Sequence, residues 1–152
     1  MKIYLECKPD EQLMRSLGVT RKVITHANDK GRVCNYLKNC NDCKGLMDED
    51  PGKPQPSYLQ QLVVKQEKYD IKVMGDQQRN HTIIVLCPDL ETWIVNTAKK
   101  TKIALKDFGL PDNSKELHKV INFRFIQFNN LITTLEEKRS KPLLYLKSLL
   151  LG

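Results

Sequence analysis

The chain reads as an α/β protein, a mostly parallel sheet flanked by helices, with a helical extension at the C-terminus. Three observations predict this. Short apolar runs alternate with helical patterns over the first two thirds, the order that builds a parallel sheet. One run, Thr82-Ile83-Ile84-Val85-Leu86-Cys87, is near-continuously apolar, as a strand buried on both faces is. The last third carries apolar residues at helical spacing. At 152 residues the chain fits one domain. The expected division is an α/β core over 1–110 with the helices of 111–152 packed on it.

Taken in order, Ile3, Tyr4 and Leu5 predict a first strand with Glu6 at its carboxyl end. Asp10 and Glu11 open a helix whose apolar face is Leu13, Met14 and Leu17, and acids there suit the helix dipole. Lys22 to Thr25 predicts a second strand, and Asn28 or Asp29 caps a helix through Val33, Tyr36 and Leu37. Lys44 to Asp50 predicts a short buried strand ending in two aspartates, before a Pro-Gly turn. The segment Pro51-Gly52-Lys53-Pro54-Gln55-Pro56 is no central strand. It forms a rim or lid beside the aspartates, or a plain connection. Ser57 is expected to cap a helix with Leu59, Leu62 and Val63 inward. A short strand is predicted over Ile71 to Met74, and Pro88 ends the strand begun at Thr82. Asp89 then caps a helix carrying Leu90, Trp93, Ile94 and Ala98. Leu117 to Leu135 reads as a strongly apolar helical stretch, broken at Ser140-Lys141-Pro142 before a leucine-rich final helix. High apolar content there predicts a face for a partner or a second copy.

Composition narrows the classes. With 40% hydrophobic and 28% charged residues, the chain is ordinary for a globular protein. It has no apolar run of ~18 residues, so no membrane span is expected. No signal-peptide core is recognisable at the start, and the expected compartment is the cytoplasm. The net charge of +7 and pI near 9.2 favour polyanion partners, since Lys and Arg neutralise phosphates. The five cysteines are Cys7, Cys34, Cys40, Cys43 and Cys87. An odd number without a signal peptide argues against a disulfide framework. Cys40 and Cys43 form a Cys-x-x-Cys near Cys34, but zinc needs a fourth ligand from afar, His26 being the nearest in pattern. His81 and His118 show no pattern. No Walker loop, Gly-x-Gly-x-x-Gly or Ser-His-Asp motif is recognisable.

The acids carry the chemistry. Residues i and i+2 of a strand share a face, so Asp48 and Asp50 are expected side by side where their strand emerges. Ligands of open α/β sheets bind outside the carboxyl ends of the strands, where Glu6 converges with them. Close carboxylates repel unless a cation or a proton intervenes, and Mg2+ takes one or two protein carboxylates. Glu91, in a first helical turn beside a strand end, is a candidate further ligand or general base. His26, at another strand end, is a candidate for phosphate contact or proton transfer.

A first strand ending in Glu, then helix, strand, helix and a strand ending in Asp-x-Asp, resembles the Toprim fold of topoisomerases, primases and related nucleases. Leu5-Glu6-Cys7-Lys8-Pro9-Asp10-Glu11 resembles the "hydrophobic-Glu-Gly-x-x-Asp-Glu" start of Toprim nucleases of the overcoming-lysogenisation-defect class. Gly45-Leu46-Met47-Asp48-Glu49-Asp50 resembles their Asp-x-Asp strand. Leu86-Cys87-Pro88-Asp89-Leu90-Glu91-Thr92-Trp93-Ile94-Val95 is similar to a "Cys-Pro/Phe-Glu-x-Trp" segment of small Toprim-like phage-defence proteins. One departure is Cys7, where the pattern has glycine. The resemblance implies a Mg2+- or Mn2+-dependent nuclease acting on DNA or RNA. Glu6, Asp48 and Asp50 would be catalytic, Asp10 and Glu91 further metal ligands, and Lys8, His26 and Lys53 phosphate contacts. It also implies a separate ATPase partner subunit. The alternative is a non-catalytic Toprim-like interaction or nucleic-acid-binding module.

Overall fold

The computed structural model describes residues 1–152. Its six strands are β1 (Ile3–Leu5), β2 (Ile24–His26), β3 (Lys44–Asp48), β4 (Val63–Lys68), β5 (Ile71–Asp76) and β6 (His81–Leu86). They form one sheet in the order β2-β1-β3-β6-β5-β4. The first four in that order run parallel, and β5 and β4 complete the sheet as antiparallel strands. The helices are α1 (Lys8–Ser16), α2 (Lys30–Lys38), α3 (Ser57–Gln60), α4 (Leu90–Lys100), α5 (Ser114–Val120), α6 (Phe125–Glu137) and α7 (Lys141–Leu151). None is long and apolar enough to cross a membrane.

Strand alternation divides the core in two. Ile3, Leu5, Leu46, Ile84 and Leu86 face a thick layer with Leu13 and Met14 of α1, Trp93 of α4, Leu117 of α5, Phe128 of α6 and Leu146 of α7. Tyr4, Met47, Ile83 and Val85 face a thinner layer with Val33 and Leu37 of α2 and Tyr58 of α3. Gly45 explains the close seat of α2, because a Cβ there would lie 3.2 Å from the Leu37 side chain. Parallel strands place their carboxyl ends together, so Glu6, Asp48 and Pro88 emerge on one edge of the sheet.

Several sequence expectations are corrected. Lys22 and Val23 belong to a 3-10 turn, and the strand starts at Ile24. The helix at Ser57 is one turn long, with Pro56 at its cap. Val63 does not face inward on that helix; it opens β4, an edge strand exposed throughout. The apolar stretch of the last third breaks at Arg124, between a 3-10 turn and α6. The break at Ser140 is present, and Pro142 sits in the first turn of α7, where its missing N–H costs no helical bond. Asp29 and Asp89 cap α2 and α4, accepting from the Arg32 and Thr92 amides.

Candidate metal-binding cleft

A cleft of about 510 Å³ opens at the carboxyl edge of the sheet. Its walls include Glu6 and Cys7 after β1, Asp48 and Asp50 at the end of β3, Leu90 and Glu91 of α4, and Lys115 and His118 of α5. Lys53 lies on its rim. A smaller hollow of about 330 Å³ beneath Pro51–Lys53 shares Asp48 and Lys53 with it but holds neither Glu6 nor Glu91.

Four carboxyl groups follow one pattern, three on the cleft wall and a fourth, Asp10, that does not line it. Glu6 Oε1 accepts from the Asp48 amide at 3.2 Å. Asp48 Oδ1 accepts from the Leu90 amide, the first of α4, at 3.0 Å. Glu91 Oε1 meets His118 Nδ1 at 3.0 Å. Asp10 Oδ2 accepts from the Cys7 amide at 3.3 Å and the Cys7 thiol at 3.1 Å. Each group thus spends one oxygen on local structure, and no protein hydrogen bond engages the other. For Asp10 that spare oxygen is fully buried in a residue only 2% exposed. Buried polar atoms are ordinarily bonded.

The electrostatics follow from this crowding. Burial, then the charges of Asp10, Glu6, Glu91 and Asp50, push the Asp48 carboxyl up to about 9. Burial pushes Asp10 up to about 7 against the hydrogen bonds from Cys7, with Glu6 and Glu91 adding repulsion. Burial also raises Glu6, opposed by the Asp48 amide and the charge of Lys30. Such groups lack both a paired positive charge and a partner for their second oxygen.

Asp50 behaves differently from the sequence expectation. The strand ends at Asp48, and Asp50 takes a left-handed conformation with φ of 48°, so strand alternation no longer sets its direction. Its Oδ2 lies 3.3 Å from Lys30 Nζ and its Oδ1 3.9 Å from Lys53 Nζ. The Lys30 ammonium also donates to the Glu49 carbonyl and to Gln55 Oε1. Gln55 in turn donates to the carbonyls of Glu49, Asp50 and Lys53. The Pro-rich segment is therefore a fastened rim. Cys7 has φ of −141°, an extended conformation any residue adopts, so the backbone here does not demand the glycine of the resembled pattern.

The other predicted contacts lie apart from the cleft. Lys8 is exposed on α1, and His26 ends edge strand β2 with Nε2 buried and unpartnered. Neither lines the cleft. Sequence reading missed Lys30, Lys115 and His118, which reach the site from helices without a local motif.

The cysteine pattern also resolves differently. Cys40 and Cys43 meet His81, not His26, with donor atoms all within 4.8 Å of one another. Both imidazole nitrogens are already engaged, however. Nδ1 accepts from the Cys43 amide at 3.0 Å, and Nε2 donates to the Leu37 carbonyl at 2.6 Å. Comparison with family models, curated proteins and solved structures found no match to this chain.

Proposed function

We propose that the cleft binds Mg2+ or Mn2+ and hydrolyses phosphodiester bonds in DNA or RNA. The observation that carries this reading is the set of spare carboxylate oxygens, above all the buried, unpartnered Asp10 Oδ1. An all-carboxylate donor set suits hard cations, and the Toprim-like motifs fall on the same residues. When bound, such an ion supplies Lewis-acid activation of water and of phosphoryl oxygens. Glu6, Asp48 and Glu91 would hold it from the cleft wall, with Asp10 adding negative charge from behind. Lys53 and Lys115 meet the phosphate backbone at the rim. His118, steadied through Nδ1 by Glu91, keeps Nε2 for proton exchange with the attacking water or the leaving oxygen. Hydrolysis adds water across one P–O bond: the hydroxide oxygen joins phosphorus, and the released bridging oxygen takes up a proton. Phe123, in the 3-10 turn before α6, and Ile126, in its first turn, are exposed and offer apolar area to an ATPase subunit or a second copy.

A non-catalytic nucleic-acid-binding or interaction module is the second reading. The pairing of Asp50 with two lysines favours it, because part of the acidic set is already neutralised. Incubating purified protein with plasmid DNA and labelled RNA in Mn2+, beside Asp48→Asn, separates the two. The nuclease reading expects cleavage that Asp48→Asn abolishes while its circular dichroism is unchanged. Cleavage surviving that substitution overturns it, and nucleic-acid binding without cleavage selects the second reading.

A further inference from the structure

We infer that the cleft takes one divalent cation and that Lys30 holds the place of the second positive charge. The inference rests on the metal-binding reading above and specifies it. An Asp-x-Asp pair at a strand end invites a two-metal arrangement, in which both aspartates face cations. Here the two aspartates differ in kind. Asp48 spends one oxygen on the Leu90 amide, keeps the other outside any protein hydrogen bond, and has no ammonium paired with it. Asp50 is already matched, with an ammonium on each oxygen.

Lys30 is built into this position rather than resting on the surface. Its side chain is only 11% exposed. It is the first residue of α2, set by the Asp29 cap. Its ammonium has three acceptors, Asp50 Oδ2, the Glu49 carbonyl and Gln55 Oε1, which account for all three donors of a lysine. Asp50 cannot swing away cheaply, because its amide donates to the Pro88 carbonyl at 3.0 Å and its carbonyl is held by Gln55. A second ion at Asp50 would have to displace a largely covered ammonium that also fastens the loop. The free oxygens of Glu6, Asp48 and Glu91 remain for one ion.

The test counts ions. Mn2+ is titrated into the full chain, and the free-ion signal is followed by electron paramagnetic resonance. The wild type is expected to bind one Mn2+ per chain. Asp50→Asn should keep that stoichiometry with affinity within about threefold, whereas Asp48→Asn should lose at least about 100-fold. Lys30→Met, which releases Asp50, should gain a second, weaker ion. Two ions on the wild type, or loss of more than about tenfold in Asp50→Asn, overturns the inference while leaving a metal site in place. No binding by the wild type overturns the metal reading itself, and this inference with it. Because Lys30 also fastens the loop, Asp50→Asn carries the test if Lys30→Met does not fold.

Discussion

Both ends of the parallel strands bury polar groups, Lys44, Asp76 and His81 at one and Asp10 and Glu91 at the other, and treat them in opposite ways. At the amino ends, every such group is matched. Lys44 donates to the carbonyls of Leu149, Leu150 and Gly152 at 2.6, 3.1 and 3.0 Å, closing the end of α7. Both nitrogens of His81 are bonded to backbone. Asp76 accepts from the Tyr58 hydroxyl, the Arg79 guanidinium and the amides of Gln78 and Arg79. At the carboxyl ends, Glu6, Asp10, Asp48 and Glu91 each have one oxygen matched and one left over. Burial is therefore not what marks the candidate site. Incomplete matching is, since an unpaired buried acid costs stability that packing elsewhere must offset.

The sharpest way to break this comparison is at Asp48. Asp48→Asn should weaken Mn2+ binding at least about 100-fold by calorimetry. In the metal-free chain the same change should raise the melting temperature at neutral pH, because it removes a crowded acid. A change in the opposite direction would mean that the cluster is internally satisfied.

At the amino ends the sign reverses. Lys44→Met should destabilise by about 2 kcal/mol, read by urea denaturation, because it strands the carbonyls that end α7. A neutral outcome would show that these carbonyls find water.

The pH dependence of stability reports on the carboxyl ends. Asp48 is raised from 3.8 to about 9 in the folded chain. Below 3.8 both folded and unfolded states hold the proton and nothing is lost. As pH rises, the unfolded chain releases a proton that the fold retains, so stability falls and then levels off above about 9. Melting in EDTA should drop by a few degrees between about pH 5 and 8, more in the wild type than in Asp48→Asn. Added Mg2+ should shrink the difference.

The smallest effect belongs to the cysteines. A zinc ion at Cys40, Cys43 and His81 would have to break one of the two backbone bonds of the imidazole. The protein purified without added metal is expected to release no stoichiometric zinc to a chromogenic chelator, and Cys40→Ser to change stability by under about 1 kcal/mol. One zinc per chain would place a second open site at the amino ends.

What the sequence made legible follows the strength of local signals. β1, β3, β6 and the Asp89 cap of α4 are readable because apolar runs and capping residues announce them. Strand β4 is not, because Val63 and Val64 face solvent on an edge strand whose pairing depends on β5. Glu6, Asp48 and Glu91 are legible as acids at strand and helix ends. The direction of Asp50 is not, because the i, i+2 rule stops where the strand does. Lys30 and His118 are invisible to spacing, since only the tertiary fold carries α2 and α5 to the cleft. His81 shows the same limit from the other side: its partners are the Cys43 amide and the Leu37 carbonyl, and backbone groups leave no trace in a side-chain pattern.

Trp93, the chain's one tryptophan, lies two positions beyond Glu91 on α4. It is buried, and its indole N–H donates to the Tyr69 carbonyl at 3.0 Å. The first amide of that helix is held by Asp48. Excited beyond the absorption of the five tyrosines, emission from the unlabelled protein therefore originates at a single place, on the helix that carries Glu91. A drift in its wavelength or intensity during cation titration would report on the helix that carries Glu91, with no dye, tag or engineered probe.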